Sequence, residues 1–171
     1  MANFNNAIDI TLGWEGGAAI TDDPDDPGGL TRYGISQRAH PDEDIRALTE
    51  ERAREIYRAD YWNAVRGNDI LNDGVARMVF DMAVNTGVKQ ASLELQRAVN
   101  HVTGSKVLVE DGIIGRRTIA QVDRVDAGRV GNQLLGRRLE YYARLVQQKP
   151  EMAKFLVGWI RRSLDVAGMG S

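Results

Sequence analysis

A chain of 171 residues with 43% apolar and 27% charged side chains is long enough for one real core and has an ordinary globular composition. It carries no cysteine and only two histidines, which removes disulfide and thiolate chemistry and leaves zinc without an adequate ligand set, so no metal or other cofactor is expected. The net charge of −2 hides a split: residues 1–86 hold 16 acidic and 8 basic side chains, residues 87–171 hold 8 and 14.

The resulting balances of −8 and +6 admit two readings. The halves attract each other, or the basic half meets an anionic polymer. No run approaches the roughly 20 apolar residues of a membrane helix, so membrane insertion is not expected. The start, MANFNNAIDI, lacks the basic and apolar regions of a signal peptide.

In chain order the pattern is helix after helix. Phe4, Ala7, Ile8 and Leu12 fall at helical spacing, and Gly13 with the Gly16-Gly17 pair is expected to end that helix. Glu15 then sits at a helix C-terminus, where the macrodipole disfavours negative charge. An aspartate-proline-glycine loop follows, with Asp22, Asp23, Asp25 and Asp26 in five positions. The piece Leu30–Ile35 suits a strand or hairpin. Thr49 reads as an N-cap, with Glu50 and Glu51 opening a helix that reaches about Trp62. Residues 74–86 are apolar around much of their girth and are expected to form the central buried helix. Further helices are expected at 88–100, after the turn EDGIIGRRT (110–118), at 126–148 and at 151–167, the last two split by Pro150.

The acidic loop fails as a calcium loop: counted from Asp23, positions five and twelve are Pro27 and Gly34, where ligands are needed. It fails as a phosphate cradle too, because Gly28-Gly29 has no lysine beside it. Carboxylate chemistry remains. A glutamate against apolar surface beside Trp14 is expected to hold its proton near neutral pH, while a loop aspartate stays ionised. Glycosidic bond cleavage needs that division of labour.

The run WEGG…DDPDDPGGLTRYGIS resembles the signature of glycoside hydrolase family 108, N-acetylmuramidases of the lysozyme-like superfamily found in phage endolysins and bacterial secretion-linked proteins. It reads Glu15-Gly16-Gly17, then Asp23-Pro24-Asp25-Asp26-Pro27-Gly28-Gly29-Leu30-Thr31, then Gly34-Ile35. FDMAVNTG (80–87) is similar to the family's later helix. LQRAVN (95–100), DGIIGRRT (111–118) and FLVGWIRR (155–162) resemble the peptidoglycan-binding module usually paired with it.

The resemblance implies a mainly α, lysozyme-like fold with a small hairpin near residues 20–36. It also implies a catalytic region at 1–92 and a binding region at 93–171, packed as one monomeric unit. Glu15 matches the catalytic acid, Asp26 the second carboxylate, and Thr31 the threonine lining the site. The spacer from Glu15 to Asp26 is about two residues longer than the usual form, which leaves Asp25 a rival. The aromatic that commonly follows Glu-Gly-Gly is Ala18 here, leaving Tyr33 or Trp14 to supply a sugar-stacking surface.

The implied partner is the peptidoglycan glycan strand, not nucleic acid. The implied reaction is hydrolysis of the β-1,4 bond from N-acetylmuramic acid to N-acetylglucosamine. A lytic transglycosylase, a chitinase-like enzyme and a silenced cell-wall adaptor are the rival functions. Without a signal peptide, synthesis in the cytoplasm and action in the periplasm after holin-type or other release are expected.

Asn85 either bonds an acetamido group or caps its helix before Gly87. Trp159 reads as core at its spacing with Phe155, Leu156 and Ile160, or as a sugar platform. His40 and His101 read as exposed loop residues. Of Arg161 and Arg162, at least one is expected to pair with the acidic half.

Overall fold

The computed structural model describes residues 2–22 and 29–169. Helix α1 (Phe4–Trp14) is capped by the Asn3 side chain, which accepts from the Asn5 N–H at 2.9 Å. Its buried stripe is Phe4, Ala7, Ile8, Thr11 and Leu12. Gly13, expected to end the helix, lies inside it. Gly16 and Gly17 end it instead, at φ of +82° and +61°. A helical glycine costs only about 1 kcal/mol, whereas a left-handed turn stops the hydrogen-bond ladder.

Three two-residue strands follow, β1 (Ile20–Thr21), β2 (Thr31–Arg32) and β3 (Ile35–Ser36), paired antiparallel in that order. Ile20 faces Arg32, and Thr31 faces Ser36. The two residues between β2 and β3, Tyr33 and Gly34, both have positive φ (+52° and +74°), as the tightest hairpin turns require.

Helix α2 (Glu50–Tyr57) starts at the expected cap, the Thr49 hydroxyl accepting from Arg52 N–H at 3.2 Å. The stretch Arg58–Trp62, expected to be ordinary helix, widens into a π-helical turn. Trp62 is buried there, edge-on to Phe4 at 5.5 Å and to Phe80 at 5.6 Å.

Helix α3 (Asp73–Thr86) buries every residue from Val75 to Ala83 except Arg77 and is the expected central helix. Gly87, at φ +89°, turns the chain into α4 (Val88–Thr103). Helix α5 (Arg116–Val122) follows the 110–115 turn. Helices α6 (Ala127–Gln148) and α7 (Ala153–Val166) are separated by a 3-10 turn at Pro150. Helix α3 packs against α1, α4, α6 and α7, so both parts of the chain share one core. A division at 92/93 falls inside α4; the joint between elements is Gly87.

Two histidines depart from expectation. His40 is only 22% exposed in its side chain and lies 3.6 Å from Asp60. His101 is exposed, but on α4 and not in a loop. Trp159 is half-buried and stacks on buried Tyr142 with ring centroids 4.9 Å apart.

Candidate active site

Glu15 is the C-cap of α1, its N–H bonded to the carbonyls of Thr11 and Leu12. Its side chain leaves the helix toward the β2–β3 turn on one side and α7 on the other. On the turn side the fit is close: a Cβ on Gly34 would come within 2.6 Å of both Glu15 Oε2 and the Tyr57 hydroxyl. The turn therefore needs glycine twice over, for its positive φ and for the space Glu15 occupies. The Tyr57 hydroxyl donates to the Tyr33 carbonyl at 3.0 Å, fastening the turn to α2. Burial, then the negative charge of Glu15, pushes the Tyr57 phenol well above its ordinary value, so it stays a neutral donor.

On the other side Glu15 Oε1 forms an ion pair with Arg162 Nη1 at 2.7 Å. The expected apolar neighbour is not the contact that defines this carboxylate. Trp14 is 38% exposed and directs its Nε1–H to Asp165 at 2.8 Å. Adjacent residues at the end of α1 are thus tied to α7 one turn apart. The guanidinium also offsets the unfavourable meeting of a negative charge with a helix C-terminus.

Behind Arg162 lies a buried charge network. Asp81, with no exposed surface, accepts from Arg162 Nε at 3.0 Å and from Nη2 at 2.8 Å, and from the Thr11 hydroxyl at 3.0 Å. Arg138 Nη2 stands 2.7 Å from Asp81 Oδ2 as an ion pair. Burial alone would favour the neutral acid; Arg138 and Arg162 overcome it and hold the Asp81 carboxyl below its usual range. Burial likewise works against the Arg162 charge, and Asp81 and Glu15 more than offset it. Arg138 Nε donates to the Tyr142 hydroxyl at 2.8 Å, which donates onward to Asn85 Oδ1 at 2.7 Å.

Of the residues singled out in the sequence, Asp25 and Asp26 lie outside the described residues. Thr31 sits half-buried on β2, its hydroxyl donating to the Gly29 carbonyl at 2.9 Å. Tyr33 is buried at the turn and lines a depression of about 290 Å³ together with Leu12, Gly13, Gly17 and Ala18. Tyr33 and the small Ala18 thus line the same depression beside the end of α1. Asn85, half-buried on α3, has its carbonyl oxygen engaged by Tyr142. The network joins Asn85 to Glu15 through Tyr142, Arg138, Asp81 and Arg162.

Arg162 meets the expectation that one arginine of the pair answers the acidic half; Arg161 is exposed. Asp81, Arg138 and Tyr57 join the site without being singled out by any sequence pattern above. A lone carboxylate among the apolar residues of 74–86 was the available signal for Asp81, since such a group is buried only with a partner.

The family profile described as Glycosyl hydrolase 108 matches residues 8–87, and that described as Predicted Peptidoglycan domain matches residues 90–164. No curated protein matches the chain. Among solved structures the chain is similar to that described as the structure of Brucella abortus SagA. The two share 31% identity and a TM-score of 0.77, with 96% of this chain and 91% of that chain covered. With Glu15 at the end of the first helix, a small hairpin beside it and a helical remainder, the chain belongs to the glycosyl hydrolase 108 family and is a peptidoglycan hydrolase of mainly helical, lysozyme-like fold.

Proposed function

We propose that the protein is an N-acetylmuramidase, hydrolysing the β-1,4 bond between N-acetylmuramic acid and N-acetylglucosamine. The observation that carries this reading is the seat of Glu15, a carboxyl held from two sides at the mouth of the hairpin. One oxygen, Oε1, is engaged by Arg162. The other, Oε2, is the one to carry and deliver the proton.

In the proposed reaction Glu15 protonates the glycosidic oxygen as the bond from the muramic acid anomeric carbon breaks. Positive charge develops on the ring, and a carboxylate from the loop, Asp26 or its rival Asp25, stabilises it or positions water. Thr31, at the end of that loop, orients the water or the carboxylate. Water adds to the anomeric carbon, its proton returns to a carboxylate, and a reducing end is left. Tyr33 offers its ring beside the depression shared with Ala18, and Asn85 contributes to substrate binding. We place the enzyme in the periplasm, acting as a monomer.

Mass spectrometry of digested, purified Gram-negative peptidoglycan tests this. Fragments that have gained water and end in reducing muramic acid are expected. Anhydro-muramic ends would make the enzyme a lytic transglycosylase, and reducing glucosamine ends would assign the other bond.

A further inference from the structure

Residues 90–164 match a domain whose description concerns peptidoglycan, and the simplest view makes them a holding module attached to a self-sufficient glycosidase. The side chains around Glu15 are not arranged that way. The cation at Glu15 Oε1 comes from α7, the second cation on Asp81 comes from α6, and the carboxylates they serve come from α1 and α3. We infer that Arg162 is the positioning residue of Glu15, and that the peptidoglycan region thereby completes the glycosidase site. The inference rests on Glu15 being the proton donor.

Three observations carry it. Arg162 touches two carboxylates at once, Nη1 on Glu15 and the Nε and Nη2 edge on Asp81. A planar guanidinium that offers one edge to a fully buried acid has its remaining nitrogen aimed in a fixed direction, and Glu15 lies in that direction. Arg162 is itself held, since Asp81 is braced by the Thr11 hydroxyl and by Arg138. The contact is also local to the end of α1: Trp14, the neighbour of Glu15, is bonded to Asp165 on the same face of α7. Proton transfer to a glycosidic oxygen is sensitive to placement of the donor, and displacement by about 1 Å costs roughly 100-fold in rate. A clamp on Oε1 with Gly34 and Tyr57 behind Oε2 fixes that placement.

The decisive substitution is Arg162→Lys. An ammonium is one point of charge and cannot span both acids; the buried Asp81 will hold it, and Glu15 will lose its anchor. The measurement is steady-state kinetics on soluble glycan fragments of peptidoglycan, with pull-down on insoluble peptidoglycan and thermal unfolding alongside. We expect kcat to fall at least roughly 10-fold, with KM and the bound fraction close to wild type and unfolding still cooperative. A folded Arg162→Lys protein with wild-type kcat would overturn the inference. So would a loss confined to KM, which would make Arg162 a substrate contact.

Should the lysine variant not fold, Arg162→Gln takes its place, leaving Asp81 charge-paired with Arg138 while Glu15 loses its cation. The same two kinetic outcomes are then read on that protein. Failure of the muramidase assignment is separable, because it shows in the wild-type products and not in the variant.

Discussion

Asp81 and Arg162 meet edge to edge in the interior, one from the central helix and one from the last, and both are buried. Their pairing ties the last helix to the central one. Asp81 also takes the Thr11 hydroxyl, so the residue one turn before Glu15 belongs to the same cluster.

That pairing has a pH signature. The folded Asp81 carboxyl lies below its ordinary value, so it contributes stability that is fully present above about pH 4 and lost as pH falls through the folded value. Asp81→Asn should destabilise the protein at pH 7 by about 3–5 kcal/mol, the cost of stranding two buried guanidiniums. Its acid-unfolding curve should be shallower than that of wild type below about pH 4. Urea unfolding across pH 2–7 checks both. Equal stability at pH 7 would mean that Asp81 is not the counter-ion of Arg138 and Arg162.

Gly34→Ala is expected to be worse than its size suggests. The new methyl meets Glu15 Oε2 at 2.6 Å while the backbone stays at φ +74°. Strain of about 1–3 kcal/mol is expected from the backbone alone, and the displaced carboxyl should cost activity by roughly 100-fold. Activity near wild type would show that Glu15 has room to retreat without loss.

How legible was this site? The turn Gly16-Gly17, the hairpin near 20–36 and the place of Glu15 at the helix end are readable because each rests on a short local pattern. The burial of α3 was readable from its apolar girth. What closes the site was not. Arg162 and Arg138 reach Asp81 from helices far along the chain, and an arginine in an amphipathic helix looks the same whether it meets water or a buried acid. The π-helical turn at Arg58–Trp62 is hidden too; it carries Trp62 against Phe4 and Phe80, contacts distant in sequence that no local pattern announces. Gly13 misled because a glycine ends a helix only where the chain goes on to turn left-handed.

The two aspartates of the loop separate by substitution. Motif position favours Asp26, which directly precedes Pro27-Gly28-Gly29 in the sequence, over Asp25. Asp26→Asn should lose roughly 100-fold or more in rate. Asp25→Asn should stay near wild type or gain slightly in stability as like charges are thinned. Rates in the reverse order would move the second carboxylate to Asp25.

The basic half should hold peptidoglycan through charge, but with fewer free cations than its +6 balance implies. Arg138 and Arg162 are already committed to Asp81 and Glu15 of the acidic half. Pull-down of the Glu15→Gln protein on insoluble peptidoglycan should weaken as ionic strength rises from about 0.01 M to 1 M, where screening shortens from about 30 Å to 3 Å. Binding indifferent to salt would put recognition on neutral sugar contacts.

If Glu15 delivers the proton, Glu15→Gln removes the reaction and little else. Glutamine keeps a carbonyl oxygen for Arg162 and fits the space beside Gly34, so the fold should survive while the acid is gone. The measurement is clearing of purified peptidoglycan suspensions by wild type and variant at matched, folded concentrations. Glu15→Gln should give no clearing above background and a melting temperature close to wild type. Clearing by the folded variant at a near-wild-type rate would contradict it and send the search for the acid elsewhere.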